Sequence, residues 1–210
     1  MVPMLNWIKH SDTNLFFLIN HEGKNALFDA LMPVVSEIEL FLIPIAVFWV
    51  MLILKKDAKT RTVAIMIVLV LVTSDLVSAR VMKPLFQRPR PYNVLSGVHY
   101  HRQGEWRVTP EKMAPKKSTN FSLPSSHATN IFAAAAFLSW FFPGFAWLYL
   151  LLALLVSFSR PYLGMHYPLD LVAGGVLGTA IGIFYALISA RIIEWIRGRR
   201  TPLKPAAKDA

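Results

Sequence analysis

Apolar residues run in long blocks along this chain, and the polar positions between them are few and clustered. The blocks cover about Leu31 to Leu54, Thr62 to Met82, Ser125 to Phe142, Phe145 to Phe158 and Leu171 to Ala190. A helix needs about 20 largely apolar residues to cross a hydrocarbon core of about 30 Å. The third and fourth blocks are short for that task and are expected to extend into their flanking residues. The pattern predicts an all-α fold, a polytopic membrane helical bundle of about five transmembrane helices. Residues 1–30 read differently, with Leu5, Trp7, Ile8 and Leu15 to Ile19 interrupted by Lys9, His10, Asp12, His21 and Glu22. No small-residue cleavage site follows the short apolar run, so an interfacial amphipathic segment is expected there rather than a signal peptide.

Between the second and third blocks lies a long polar loop, about Lys83 to Pro124, rich in proline and basic residues. The last block carries no charge, and its Gly174, Gly178 and Gly182 recur every fourth residue, a small-residue face for close helix packing. Three carboxylates fall inside apolar blocks. Glu37 and Glu39 read as an entry turn at headgroup depth, whereas Asp75 is left without a role. Residues 1–196 are expected to form a single membrane-embedded domain, and 197–210 a basic, disordered tail.

Composition narrows the chemistry. Of 210 residues, 55% are hydrophobic and 16% charged, and no cysteine is present, which excludes disulfides and thiolate catalysis. The net charge of +10 points, on a membrane protein, to anionic headgroups or a phosphorylated lipid rather than to nucleic acid. The basic hairpin 55–61 and the C-terminal stretch from Arg191 hold 10 Lys and Arg against 12 on the opposite side, so the raw tally does not orient the chain. Short basic runs beside the spans weigh most in the positive-inside rule, and they place hairpin and tail in the cytoplasm.

Three clusters carry candidate chemistry, and alternating spans bring all three to one side. Ser159-Arg160-Pro161-Tyr162-Leu163-Gly164-Met165-His166-Tyr167-Pro168-Leu169-Asp170 gathers an arginine, a histidine and a carboxylate. Pro168 suits the first position of a helix, which puts Asp170 in its first turn and His166 in the loop before it. There Asp170 can accept from one imidazole nitrogen and leave the other as a nucleophile or base, with Arg160 offering a planar fork to an anion in front of it. Lys83-Pro84-Leu85-Phe86-Gln87-Arg88-Pro89-Arg90-Pro91 aims Lys83 and Arg90 from a proline-stiffened backbone; alone it is a basic anchor. Pro124-Ser125-Ser126-His127 places a serine cap and a histidine at a helix N-terminus, where backbone N–H groups favour an anion; alone it is an ordinary cap.

Taken together, these motifs resemble those of the type-2 phosphatidic acid phosphatase superfamily: Lys83 followed by Arg90-Pro91, Pro124-Ser125-Ser126-His127, and Ser159-Arg160 followed by His166 and Asp170, in the family's order. Ser126 departs from the family's usual glycine, keeping the backbone N–H while narrowing the phosphate pocket. The resemblance implies a metal-independent lipid phosphatase without cofactors. In it His166 attacks phosphorus, Asp170 orients His166, and His127 handles the leaving-group and water protons. Lys83, Arg90, Ser125, Ser126 and Arg160 would hold the phosphoryl oxygens. The implied substrate is a membrane lipid phosphate, with undecaprenyl diphosphate ranked ahead of phosphatidylglycerol phosphate, phosphatidate and the 1-phosphate of lipid A. Arg102, Arg107, Lys116 and Lys117 in the long loop are available for further phosphate contacts. The implied setting is a bacterial inner membrane with the site facing the periplasm. Phosphotransfer to a hydroxyl acceptor, non-catalytic lipid binding and haloperoxidase chemistry are the competing classes; the first is separable only by product analysis.

Overall fold

The computed structural model describes residues 2–37, 42–55, 57–112 and 120–200. Helix α1 (Val2–Phe17) runs into a π turn, Leu18–Glu22, and is followed by α2 (Ala26–Ser36) and α3 (Leu42–Ile53). Helix α4 (Ala58–Leu76) continues through a second π turn, Val77–Met82, into α5 (Lys83–Phe86) and then the short α6 (Pro91–Val94). A hairpin of β1 (His99–Arg102) and β2 (Glu105–Val108) precedes α7 (Ser126–Phe141), α8 (Ala146–Tyr162) and α9 (Pro168–Arg200). Ala58–Phe86, Pro143–Tyr162 and Pro168–Gly198 are each long and apolar enough to cross a membrane.

Helix α7 lies at the centre and packs on α4, α8 and α9. Its core contacts combine Val63, Met66 and Val70 of α4 with Ala133, Phe137 and Phe141 of α7 and Ala186 and Ile193 of α9. The glycine face of α9 meets α7 backbone to backbone. A Cβ at Gly174 would stand 2.7 Å from the Ser125 carbonyl oxygen, at Gly178 2.1 Å from that of Thr129, and at Gly182 2.4 Å from that of Ala133. No side chain fits there, so the expected packing role of these glycines is what the structure shows. At its far end α7 is capped by Lys59, whose Nζ donates to the Phe141 carbonyl at 2.7 Å.

Four expectations change. The apolar block 31–54 is not one span: it divides into α2 and α3, of 11 and 12 residues, each too short to cross alone. Helix α2 closes at Glu37, where Ser36 is drawn into contact with Arg160; Glu39 lies outside the described residues. The long loop holds a β-hairpin, because Gln103 and Gly104 both take positive φ (55° and 82°), the geometry of a tight two-residue turn. Helix α9 runs on to Arg200, so 197–200 of the expected tail are helical, while 201–210 lie outside the described residues. Finally, the N-terminal helix carries its buried face inward: Asp12, Phe16 and Asn20, spaced by four, are buried, and Trp7, Leu15 and Leu18 are exposed. The buried face thus mixes Asp12 and Asn20 with Phe16, while Lys9, His10 and Asn14 share the exposed face with Trp7, Leu15 and Leu18.

The glycines of α9 provide a direct check. Gly178→Ala forces a methyl into the Thr129 backbone and should lower stability by about 1–3 kcal/mol. Gly175→Ala meets only the Phe132 ring at 3.4 Å and should be neutral. Thermal unfolding of both variants in detergent compares them; equal melting temperatures would refute the seam.

Candidate active site

The ends of α5, α7, α8 and α9 converge, and each brings part of one polar site. The second π turn sets the first. It rotates Ser78 so that its Oγ donates to Ser126 Oγ at 2.9 Å, and it delivers Lys83 half-buried at the head of α5. Gln87 then closes α5 in a left-handed conformation (φ 49°), turning the chain toward Arg88 and Arg90.

On α7, Ser125 is the N-cap, its Oγ accepting from the Ala128 N–H at 3.4 Å, and its own N–H donates to the Asp170 carbonyl at 3.0 Å. The cap leaves the first-turn N–H groups of Ser126 and His127 untaken by Ser125, at the positive end of the helix. The Ser126 hydroxyl accepts from Ser78 of the second π turn. Ser125 meets Asp170, and Arg90 meets His166, so the three clusters come together.

His166 occupies the loop between α8 and α9 and is 1% exposed. Gly164 enables that loop: at φ 72° it brings its backbone against β1, where a Cβ would meet the His99 carbonyl oxygen at 2.5 Å. Asn20 clamps the same place, its Nδ2 donating to the carbonyls of His99 (2.7 Å), Pro161 (3.2 Å) and Tyr162 (3.0 Å). The loop that carries His166 is thus fixed at both Gly164 and Asn20. His166 Nε2 lies 3.3 Å from Arg90 Nη1, and its Nδ1 lies 3.5 Å from Asp170 Oδ2. A guanidinium only donates, so Nε2 carries the lone pair and Nδ1 the proton facing the carboxylate. The Asp170 contact expected from the spacing is present at 3.5 Å, and the same oxygen also accepts from the Tyr167 N–H at 2.9 Å.

The cation that reaches His166 Nε2 directly is Arg90. Arg90 is anchored by Asn120, whose Oδ1 accepts from Nε at 3.1 Å. Arg160, 8% exposed, donates from Nη1 to Ser36 Oγ, and its buried Nε meets no acceptor among the described residues. A buried arginine N–H without an acceptor is a donor that suits an oxyanion. Burial first, and then Arg90, Arg160 and Lys83, hold the His166 imidazole well below its ordinary value, against a smaller opposing contact with the Ser122 carbonyl. These surroundings favour the neutral ring, the form that offers a lone pair.

Several participants escaped the sequence. Arg88, Asp12, Ser36, Asn20 and Ser122 all touch the site or its loop; only Arg88 lay within a motif already singled out. Arg107 is spent on Glu105 at 2.8 Å, Arg102 is exposed on the hairpin, and Lys116 and Lys117 lie outside the described residues. Asp75 is exposed on α4 and accepts from Asn130 Nδ2 at 3.4 Å. Among the described residues no three His, Asp or Glu side chains gather as a metal would require.

Residues 58–194 match the sequence profile described as the PAP2 superfamily. Over 180 residues, 85% of this chain and 79% of the other, it is 31% identical to the undecaprenyl-diphosphatase of Sulfolobus acidocaldarius. The crystal structure of Aquifex aeolicus LpxE superposes with a TM-score of 0.59 at 25% identity, covering 82% of this chain and 93% of that one. A transmembrane PAP2-type phosphatidylglycerolphosphate phosphatase from Bacillus subtilis superposes at 0.61 with 19% identity, over 95% and 90% of the two chains, a likeness of fold.

The depressed His166 basicity has a measurable sign. An unfolded histidine titrates near about 6.5, so as pH falls the unfolded chain binds the proton first, and the folded state loses stability below that pH. NMR of imidazole-labelled protein in detergent, assigned with His166→Gln, should show His166 still neutral at a pH where an ordinary histidine is half protonated. A midpoint at or above the ordinary histidine value would contradict the charge arrangement.

Proposed function

This chain belongs to the PAP2 superfamily and is a membrane-embedded lipid phosphatase, and from that premise we propose that it acts through a phosphohistidine on His166, with undecaprenyl diphosphate as its substrate. The observation that carries the reading is the His166 ring itself, Nε2 facing the Arg90 guanidinium and Nδ1 facing Asp170. A phosphoryl group drawn to Arg90, Arg160 and Lys83 would be presented to that lone pair.

In the first step Nε2 attacks phosphorus and the bond to the lipid-side oxygen breaks. His127 donates a proton to that leaving oxygen, and undecaprenyl phosphate departs. In the second step His127, now neutral, takes a proton from water; the hydroxyl attacks phosphorus, the P–N bond breaks, and inorganic phosphate leaves. Lys83, Arg90, Arg160 and the first turn of α7 offset the charge on the transferring group in both steps. Asp170 favours the imidazole tautomer that leaves Nε2 free. The choice of substrate is supported by the archaeal undecaprenyl-diphosphatase relative.

Two measurements test this. Purified protein is assayed for phosphate release, with EDTA present, against undecaprenyl diphosphate, phosphatidylglycerol phosphate, phosphatidate and lipid A. The highest kcat/KM is expected on the first; preference for another lipid overturns the substrate and leaves the chemistry standing. Alongside it, each histidine variant is quenched after mixing with a radiolabelled activated phosphate ester. His166→Ala should fall to background and trap nothing. His127→Ala should lose about 10²–10⁴-fold on the lipid yet still form labelled phosphohistidine with the activated ester. Label mapping to His127 would reverse the assignment.

We also place the active site on the outer face of the bacterial inner membrane, because the 55–61 hairpin and the C-terminal basic run lie at the other ends of α4 and α9. A reporter fused after Ala210 should read as cytoplasmic; a periplasmic signal would overturn the orientation.

A further inference from the structure

Arg88 lies two residues before Arg90 and yet faces away from the nucleophilic nitrogen. Its Nη1 donates to Asp170 Oδ1 at 2.9 Å and its Nη2 to Asp12 Oδ2 at 2.5 Å. The guanidinium carbon stands 3.8 Å from the centre of the Tyr167 ring. The side chains of Asp12 and Asp170 are 1% and 0% exposed, so two carboxylates with almost no water share one cation. With both forks occupied by carboxylates, Arg88 has little left to offer a phosphoryl oxygen.

The other oxygens of the two acids are also committed. Asp12 Oδ1 accepts from the Leu169 N–H at 2.9 Å, at the first turn of α9. Asp170 Oδ2 accepts from Tyr167 and faces His166 Nδ1. The Arg88 carbonyl is held in turn by the Ser122 N–H at 2.8 Å. A line of contacts therefore runs from the N-terminal helix through Arg88 and Asp170 to the imidazole. Rotation of the Asp170 carboxylate about its Cβ–Cγ bond is blocked from one side by Arg88 and from the other by Tyr167. A lysine could neutralise one acid but could not bridge two in a plane.

We propose that Arg88, oriented by Asp12, is a positioning residue for the phosphoryl-transfer step: it fixes the carboxylate of Asp170 so that Oδ2 faces His166 Nδ1, which makes the N-terminal helix part of the catalytic apparatus. The proposal rests on the reading of His166 as nucleophile. It differs from a tether that merely joins α1 to α9, because a tether would act on folding and not through Asp170.

The test measures the rate of phosphohistidine formation by rapid quench with radiolabelled p-nitrophenyl phosphate. It uses full-length wild type, Arg88→Gln, Arg88→Lys, Asp12→Asn, Asp170→Asn and the Arg88→Gln/Asp170→Asn double variant, each with its melting temperature. Arg88→Gln should slow formation by about 10²-fold or more, by analogy with loss of the orienting acid in hydrolytic triads, with KM little changed. Arg88→Lys should recover only part of the rate, and Asp12→Asn should lose about tenfold. The double variant should be no slower than Asp170→Asn, since both changes remove the same constraint. A wild-type rate in Arg88→Gln, effects that multiply with Asp170→Asn, or a loss expressed wholly in KM would each overturn the proposal. Should Arg88→Gln fail to fold, Asp12→Asn, which keeps the Arg88–Asp170 pair, decides it: an unchanged rate in a folded protein refutes the relay. If wild type itself forms no label on His166, the nucleophile assignment has failed instead.

Discussion

Asp170 carries a carboxylate with no solvent around it, at the end of a bundle whose other surfaces face hydrocarbon. An isolated charge there would be prohibitive, so its surroundings are shaped to satisfy it. Arg88 takes one oxygen, the Tyr167 N–H takes the other, and the Asp170 carbonyl receives the Ser125 N–H. These contacts bring the long loop, the His166 loop and the start of α7 to one point. The cations are arranged by the same rule inverted. Arg90 is held by Asn120 and faces a neutral ring, whereas Arg160 keeps a buried N–H without an acceptor among the described residues. The negative partner is supplied in full on the Asp170 side and withheld on the other, which is where an anion belongs.

That arrangement needs a rigid frame, and helices in lipid obtain one from close contact rather than from the hydrophobic effect. The backbones of α7 and α9 approach through Gly174, Gly178 and Gly182. The seam begins at Ser125, the residue that caps α7 and bonds Asp170. Packing and chemistry are thus continuous along α9: the first turn serves the site, and the next turns hold it at a set distance from His127.

Local chemistry was readable in the residues; long-range chemistry was not. Pro168 at the first turn, Asp170 after it and Ser125 as a cap follow from rules that act within four residues, and all three stand where those rules put them. The glycine face was equally plain, because its period is helical. Asp12 could not be read, since its partner Leu169 is 157 positions away and nothing in a mixed amphipathic stretch marks one acid as buried. Which motif arginine touches His166 was hidden for the same reason: Arg90 and Arg160 both belong to motifs, and only the fold decides which reaches the ring. The break between α2 and α3 was hidden by uniform apolarity on both sides of Glu37, and the hairpin by the polarity of its strands.

The π turn Val77–Met82 is a poorer hydrogen-bonding geometry than the α-helix on either side of it, kept in the middle of an apolar helix where regularity would be easiest. It amounts to one residue more than an α-helical path would hold, and one residue is about 100° of rotation. A chain shortened by one position between Ser78 and Lys83 would be a more regular helix, with Lys83 swung about a quarter turn from its present direction. Homologous chains of this architecture should therefore tolerate substitution within the turn far better than insertion or deletion. The length of that segment, rather than the identity of its residues, is what natural selection can least afford to vary.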